Sequence, residues 1–552
     1  MTQPTGTTRE FNIVKSLAGR MPALPGNCPL LLLTFKTQYG IIGYSMIANC
    51  WKERVMAYQL YWGDIHNHCG ISYGHGKLKH ALQRAREQLD FCSVTGHAFW
   101  PDMPTDRSKY DRIINFHTEG FRKLAQGWED VLKAFERYND PGQFVTFVSY
   151  EWHSCEFGDH CVYYPGSGGP LMTAPTVQEL REKVSNWSGL VIPHHIGYPR
   201  GYRGINWKHF DETMSPFVEV YSMHGCSESD TAPLPMLHTM GPRDYGSTAE
   251  FGYKQGRRFG LVASTDHHSA YPGSWSDGRM AVFATELTRE AIWDAFLNRR
   301  TYAVTGDKIK ARFSVNGAMI GEKISGGDRR EIKLEVETSD FLSKIEVLKN
   351  DRVIRCITDD DVPLELGGEV RAKVRIEWGW GSKENEVRWD GELSLSEGQV
   401  LSTETCFSGP PILAPQDHEV EEESLPHKLT SATERGCAWY SHTFGNPTTR
   451  HQTTQSLIVE LRMPLEASII LNINGNRYEH KLVELLEGSR SHFMRGLLTE
   501  AIRIHRAIPR EKYTFKDEFS DDASGKSIDY YRLRVSQKNN QWAWLTPIWV
   551  TS

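Results

Sequence analysis

Two histidine-rich clusters, His66-Asn67-His68 and Asp266-His267-His268, lie some 200 residues apart, and each places two metal-ligand side chains at i, i+2. On a strand that spacing points both side chains to one face, so each pair can grip one ion from one side. Fifteen of the 22 histidines fall from His66 to His268, and the other seven are scattered beyond residue 417 without ligand-like spacing. The chemistry therefore belongs to the first half of the chain.

At 552 residues the chain exceeds what one hydrophobic core supports, so at least two domains are expected. A net charge of -6 and 39% hydrophobic residues describe an ordinary soluble chain and call for neither a nucleic-acid nor a membrane partner. The ten cysteines form no C-x-x-C pair and read as reduced thiols of a cytoplasmic protein. Near the N-terminus, the apolar run from Cys28 to Phe35 is cut short by Lys36 and Gln38, well below the roughly 20 residues of a membrane span. Residues 1–55 read as an N-terminal extension, loosely attached, and Met56 as the start of a domain.

From Gln59 to Gly306 short apolar strands alternate with amphipathic helices. Leu78, Ala81, Leu82, Ala85 and Leu89 recur at helical spacing, and Phe91 to Thr95 reads as a buried strand. A helix is expected over Asp102 to Tyr138, a strand over Phe144 to Trp152, a helix over Val177 to Trp187, and strands over Leu190 to His194, Phe217 to Ser222 and Gly260 to Thr265. A last helix is expected over Arg289 to Arg299. Such βα units predict an α/β fold with a mostly parallel sheet, open or closed as a barrel, over residues 56–306. The ligand-type residues His66, His68, His97, Glu151, His194, His195, His224, Asp266 and His268 sit at the strand ends, where active sites of such barrels collect. Residues 307–552 change character: Glu331 to Glu337, Lys344 to Lys349, Val374 to Trp378, Leu457 to Leu461, Ile469 to Ile473 and Tyr531 to Val535 read as strands of a β-sandwich-rich region, with a polar stretch at Pro410 to Ser431.

In order, the chain carries H-x-H, a histidine nine residues on, Thr95-Gly96-His97, a strand-end Glu151, Pro193-His194, Ser222-Met223-His224-Gly225 and Ser264-Thr265-Asp266-His267-His268. That series resembles the polymerase and histidinol phosphatase (PHP) superfamily. Gly63-Asp64-Ile65-His66, Glu151-Trp152, the segment Arg299 to Gly306 and the segment Trp542 to Trp549 resemble its branch containing carbaryl hydrolases. The resemblance covers about residue 61 to the C-terminus. It implies a PHP-type distorted (β/α)7 barrel and two or three divalent metal ions: one held by His66, His68, Glu151 and Asp266, a second by His75, His97 and His268, a third by Glu151, His194 and His224. Zinc, manganese and iron all suit imidazole and carboxylate ligands. One departure stands out, because the family usually has Thr-Asp-His where this chain has Gly96.

Beside the ligands, His160 and His195 are candidates for moving protons and Glu151 for bridging ions. Adjacent His194 and His195 point to opposite strand faces, so only one should ligate directly; His195 is read as a group that supports a ligand or faces the substrate, with plain packing as the alternative. His153 and His267 alternate away from their neighbours and are read as structural. Arg200, Trp152 and Tyr163 are candidate substrate contacts, and Arg203 flanks the same glycine-containing loop as Arg200. The expectation is metal-assisted hydrolysis of a small-molecule ester, with an aryl carbamate or carboxyl ester favoured by aromatics near the site and phosphate mono- or diesters as the alternative. No G-x-S-x-G elbow or phosphate-binding P-loop supports another chemistry. A metal-binding protein without turnover and a carbohydrate-directed protein are the other readings, and a homo-oligomer is left open.

Overall fold

The computed structural model describes residues 58–359, 367–381, 386–410, 427–443 and 453–551. The expected N-terminal extension and most of the polar stretch after Pro410 lie outside the described residues.

Alternation starts at β1 (Gln59–Asp64), followed by α1 (Leu78–Arg86), β2 (Phe91–Cys92), β3 (Gly96–Phe99) and α2 (Arg107–Tyr138). Asp106 caps α2 by accepting from the Ser108 N–H, and the helix buries the stripe Ile114, His117, Leu124, Trp128, Val131 and Phe135. Next come β4 (Val145–Thr146), β5 (Val148–Trp152), β6 (His160–Tyr164), α3 (Val177–Ser185), β7 (Leu190–Pro193), β8 (Phe217–Ser222), β9 (Gly225–Cys226), α4 (Ala249–Lys254), β10 (Gly260–Ala263), β11 (Arg279–Ala284), α5 (Arg289–Leu297) and β12 (Thr301–Val304). Thr176 and Thr288 cap α3 and α5 through N–H groups three residues on.

The expected elements are present, but among the described residues their strands do not form one closed ladder. β4, β2, β1, β11 and β12 share one sheet, β3, β5, β6 and β7 a second, and β10, β8 and β9 a third. The strand expected from Phe91 to Thr95 breaks: β2 pairs with β1 and β4, whereas Gly96 opens β3 against β5. Parallel pairing holds for β1–β2, β2–β4, β3–β5 and β8–β10. β6 runs antiparallel to both β5 and β7. The link between β5 and β6 is too short for the crossover that a parallel neighbour requires.

The sheet containing β1 continues past β12 into the last residues of the chain. Trp542–Leu545 pairs antiparallel with β12, and Ile528–Gln537, Ile548–Thr551 and Lys323–Ser325 extend the sheet outward. Thr546 reaches across to the third sheet, its hydroxyl accepting from Leu261 N–H of β10 at 2.8 Å. Each strand anticipated after residue 306 lies within an observed one. A six-stranded and a five-stranded sheet enclose one apolar core that contains Trp378, Trp389 and Trp439. Trp378 and Trp439 stack with ring centres 4.9 Å apart. No helix among the described residues is long and apolar enough to cross a membrane, and the eight described cysteines are free thiols.

Candidate metal centre

The segments that follow β1 and β10 are hydrogen-bonded to each other. Asp266 N–H donates to His66 O at 2.7 Å, His68 N–H to His267 O at 2.8 Å and Ala270 N–H to His68 O at 3.0 Å. Below this clamp the buried Asp64 carboxylate accepts from the N–H groups of His66, Thr265 and Gly273 and from the Thr265 hydroxyl. Asp64 thus ties both histidine clusters to one anchor, and burial still raises its pKa above the ordinary carboxylate value.

Asp266, in the left-handed region at φ 53°, presents its carboxylate to three imidazoles. His68 Nε2 lies 2.9 Å and His66 Nε2 3.4 Å from Oδ1, and His224 Nε2 lies 3.0 Å from Oδ2. Glu151 plays the same part from the end of β5. His97 Nδ1 lies 2.6 Å and His68 Nε2 3.6 Å from Oε2, while His194 Nε2 and His153 Nδ1 lie 2.9 and 3.3 Å from Oε1. Burial alone would raise both carboxyls, but the surrounding imidazoles outweigh it and hold them well below the usual range. Burial, assisted by neighbouring imidazoles, lowers His97, His194 and His268, which keeps these rings neutral and able to ligate.

Several buried ring nitrogens here have no hydrogen-bond partner among the described residues: His66 Nε2, His97 Nε2 and His194 Nδ1. Buried polar groups are normally satisfied, so a cluster of orphans made of metal-ligand atom types fits a bound cation. The sets His66, His68, Asp266 and His68, His97, His268 each bring ligand atoms within 4.8 Å of one another. Divalent metal binding suits this donor set. His75 is buried, and its N–H donates to His268 O at 2.8 Å, which places its loop beside the second of these sets. His224 Nε2 lies 3.0 Å from Asp266 Oδ2 and lines the same cavity as Glu151.

A cavity of about 100 Å³ opens onto the carboxylates, lined by Tyr73, Phe116, His195, Arg203, His238 and Met240 among others. His195, at φ 30°, directs Nε2 to Asp159 Oδ2 at 3.2 Å, and Arg203 is ion-paired with the same carboxylate. Burial lowers His195, with Asp159 opposing.

Several expectations need correcting. His153 is no bystander: strand alternation ends at Trp152, and the ring turns into the site, 3.1 Å from His97 Nδ1 and 2.8 Å from an Arg203 nitrogen. His160 lies within β6, away from the cavity. Its Nδ1 bonds Gly158 O at 2.9 Å, and burial pushes its pKa down to about 3, so it is a poor proton donor. Trp152 and Tyr163 are core residues, their polar atoms donating to Ala174 O and Ile65 O. Arg200 is exposed and borders a different cavity, beside Trp207 and Arg257. Asp159 and Glu219 escaped the sequence reading. Glu219 accepts from His66 Nδ1 at 2.9 Å, and burial raises its carboxyl to about 7 although His66 opposes this. Its only trace in sequence is one carboxylate inside the apolar run Phe217 to Tyr221.

Gly96 also has a packing reason. A Cβ there would lie 2.6 Å from Leu124 Cδ1 of α2. The carboxylate partner that the usual Asp would provide is supplied to His97 by Glu151 instead.

A family profile described as a protein of unknown function (DUF3604) matches residues 101–161 and 274–328. An uncharacterised protein of Chlamydia pneumoniae is 23% identical over 290 residues, covering 46% of this chain and 45% of its own length. A second, from Chlamydia trachomatis, is 25% identical over 174 residues, 28% of either chain. The chain thus spans less than half the length of these curated relatives. Among solved structures, a two-domain protein of Bacteroides vulgatus containing a predicted PHP-like metal-dependent phosphoesterase aligns over 77% of this chain and 96% of its own at 12% identity, with a TM-score of 0.31. At that score the reading of the site rests on its side chains alone.

Proposed function

We propose that this chain is a metal-dependent hydrolase acting on a small ester-type substrate. The observation that carries this is the pair of buried carboxylates, Glu151 and Asp266, each ringed by imidazoles, with His66 Nε2, His97 Nε2 and His194 Nδ1 left without partners among the described residues, at the floor of a cavity. His66, His68 and Asp266 would hold one ion, His97 and His268 with His75 a second, and Glu151 with His194 would complete the shared side. Divalent ions in such a site supply Lewis-acid polarisation of the scissile group and acidify a water.

The protein's own groups do the rest. Asp159, fixed by the Ser154 N–H at 2.9 Å and by Arg203, orients His195 through Nε2. The Nδ1 of His195 has no hydrogen-bond partner among the described residues and is the atom at which a proton would be taken from, or returned to, the reacting group. Tyr73 and Phe116 give the cavity an aromatic wall, which suits an aryl carbamate or carboxyl ester. Arg203 is the observation favouring the second reading, a phosphate mono- or diester, although its charge is already matched by Asp159.

Initial rates on 1-naphthyl N-methylcarbamate and on a nitrophenyl phosphate diester, measured with zinc- and manganese-loaded protein, test this. Faster carbamate cleavage that is lost in His68→Ala supports the first reading, and faster phosphate cleavage lost in the same variant supports the second. Metal-loaded protein inactive on both would sink the hydrolase reading and return the site to a metal-binding role.

A further inference from the structure

The chain carries a net charge of -6, yet one cavity, of about 840 Å³, is walled by six cations, Lys254, Arg257, Arg258, Lys349, Arg352 and Lys526, against two carboxylates, Glu250 and Asp351. It lies where α4 and the residues after it meet the hairpin of strands Leu342–Lys349 and Arg352–Ile357. We infer that this cavity binds a small anion bearing two or more phosphate groups.

The local ion pairs reduce the positive excess without cancelling it. Glu250 is bonded to Lys254 at 2.6 Å, and Asp351 to Arg532, which is outside the wall, at 2.7 Å. Among the cations, Arg258 is matched by Glu212 at 3.1 Å and Lys349 by Asp521 at 2.7 Å. Arg257 and Arg352 have no carboxylate within ion-pair range among the described residues. Arg257 stands on the wall between this cavity and the one beside Trp207, spending one terminal nitrogen on Trp207 O at 2.9 Å, while its buried Nε has no partner among the described residues. Arg352 is exposed. A guanidinium is a planar fork that matches phosphate oxygens two at a time and sheds water more readily than an ammonium. Two such forks, contributed by separate segments, make a site for a doubly phosphorylated ligand more than for a single anion.

Size and lining agree with a small molecule. The volume falls within the roughly 300–1,000 Å³ typical of ligand pockets. Tyr530 and Ile354 add surface for an organic body between the charges. The pocket is separate from the carboxylate-imidazole site and shares no lining residue with it.

Calorimetric titration of the full, metal-loaded chain with inorganic pyrophosphate and with orthophosphate, in buffer without added metal, tests the inference. Pyrophosphate should bind tenfold or more tightly than orthophosphate. The double variant Arg257→Gln/Arg352→Gln should weaken pyrophosphate binding at least tenfold, and affinity should fall as salt is raised. Arg203→Gln, at the other site, should leave this binding unchanged. A thermal midpoint within a degree or two of wild type shows that the double variant is folded, and Arg257→Lys/Arg352→Lys keeps the charge if it is not. Equal affinities for the two anions, no binding by wild type, or binding that responds to Arg203→Gln and not to the double variant would overturn the proposal. Because none of these readouts uses hydrolysis, failure here is distinct from failure of the hydrolase reading.

Discussion

Asp266 Oδ1 lies 2.9 Å from His68 Nε2 although the two residues are 198 positions apart. The contact is held from outside the pair, by main-chain bonds joining residues 66–68 to 266–270 and by Asp64 beneath both. A ligand pair fixed in this way loses little conformational freedom on taking up an ion.

Asp266→Asn and His68→Ala should each lower bound divalent metal by tenfold or more at a fixed free-metal concentration, read by elemental analysis after gel filtration. Because metal binds the folded chain, chelation of wild type should lower the thermal midpoint. At 100 to 1,000 times the dissociation constant the bound ion contributes about 3 to 4 kcal/mol. A midpoint indifferent to chelator would contradict a buried metal centre.

Glu219 holds His66 Nδ1 at 2.9 Å. Glu219→Ala should therefore weaken metal binding by roughly 10 to 100-fold, with Glu219→Gln intermediate because an amide oxygen can still accept the bond. Competition with a chromophoric chelator measures both. Equal affinity in all three proteins would reduce Glu219 to a packing role.

Placing a carboxylate beside His97 with Gly96→Asp should not strengthen metal binding. The new Cβ would meet Leu124 Cδ1 at 2.6 Å, and repacking this buried side chain should cost about 1 to 3 kcal/mol in urea denaturation. Unchanged stability would show that α2 yields freely.

The histidine spacings made the metal centre legible in the sequence because strand geometry converts i, i+2 into a shared face without any knowledge of the fold. Isolated carboxylates carry no such signal: Glu219 in Phe-Val-Glu-Val-Tyr could face either layer, and Asp159 becomes meaningful only once Arg203 and His195 are folded over it. Trp152 and Tyr163 were mistaken for substrate contacts because composition near a strand end does not say which face an aromatic takes. Strand positions after residue 306 were readable from alternation, but their partners were not. Pairing of Trp542–Leu545 with β12 is set by contacts far apart in sequence, which local patterns do not encode.

His427 gives a pH test away from the metal centre. Burial, then Arg84 and His442, push its pKa down to about 3, while Nδ1 bonds Ser441 Oγ at 2.9 Å. The unfolded chain takes up this proton near pH 6.5 and the folded chain near 3, so the unfolded state binds more protons between those values. Stability from this site is complete above about 6.5 and is lost as pH falls toward 3. Denaturant unfolding at pH 7.5 and 5 should show wild type losing roughly 1 to 2 kcal/mol more than His427→Gln. Identical losses would place the imidazole in contact with water.

The route of Trp542–Leu545 back to β12, with Thr546 bonded to Leu261 of β10, bears on the order of events during synthesis. As the chain leaves the ribosome, β1, whose end leads to His66 and His68, emerges hundreds of residues before Trp542–Leu545, which pairs with β12 in the same sheet. Until Trp542–Leu545 is free of the exit tunnel, that edge of β12 stays unpaired, and a nascent chain interrupted there would hold His66 and His68 on an unfinished sheet.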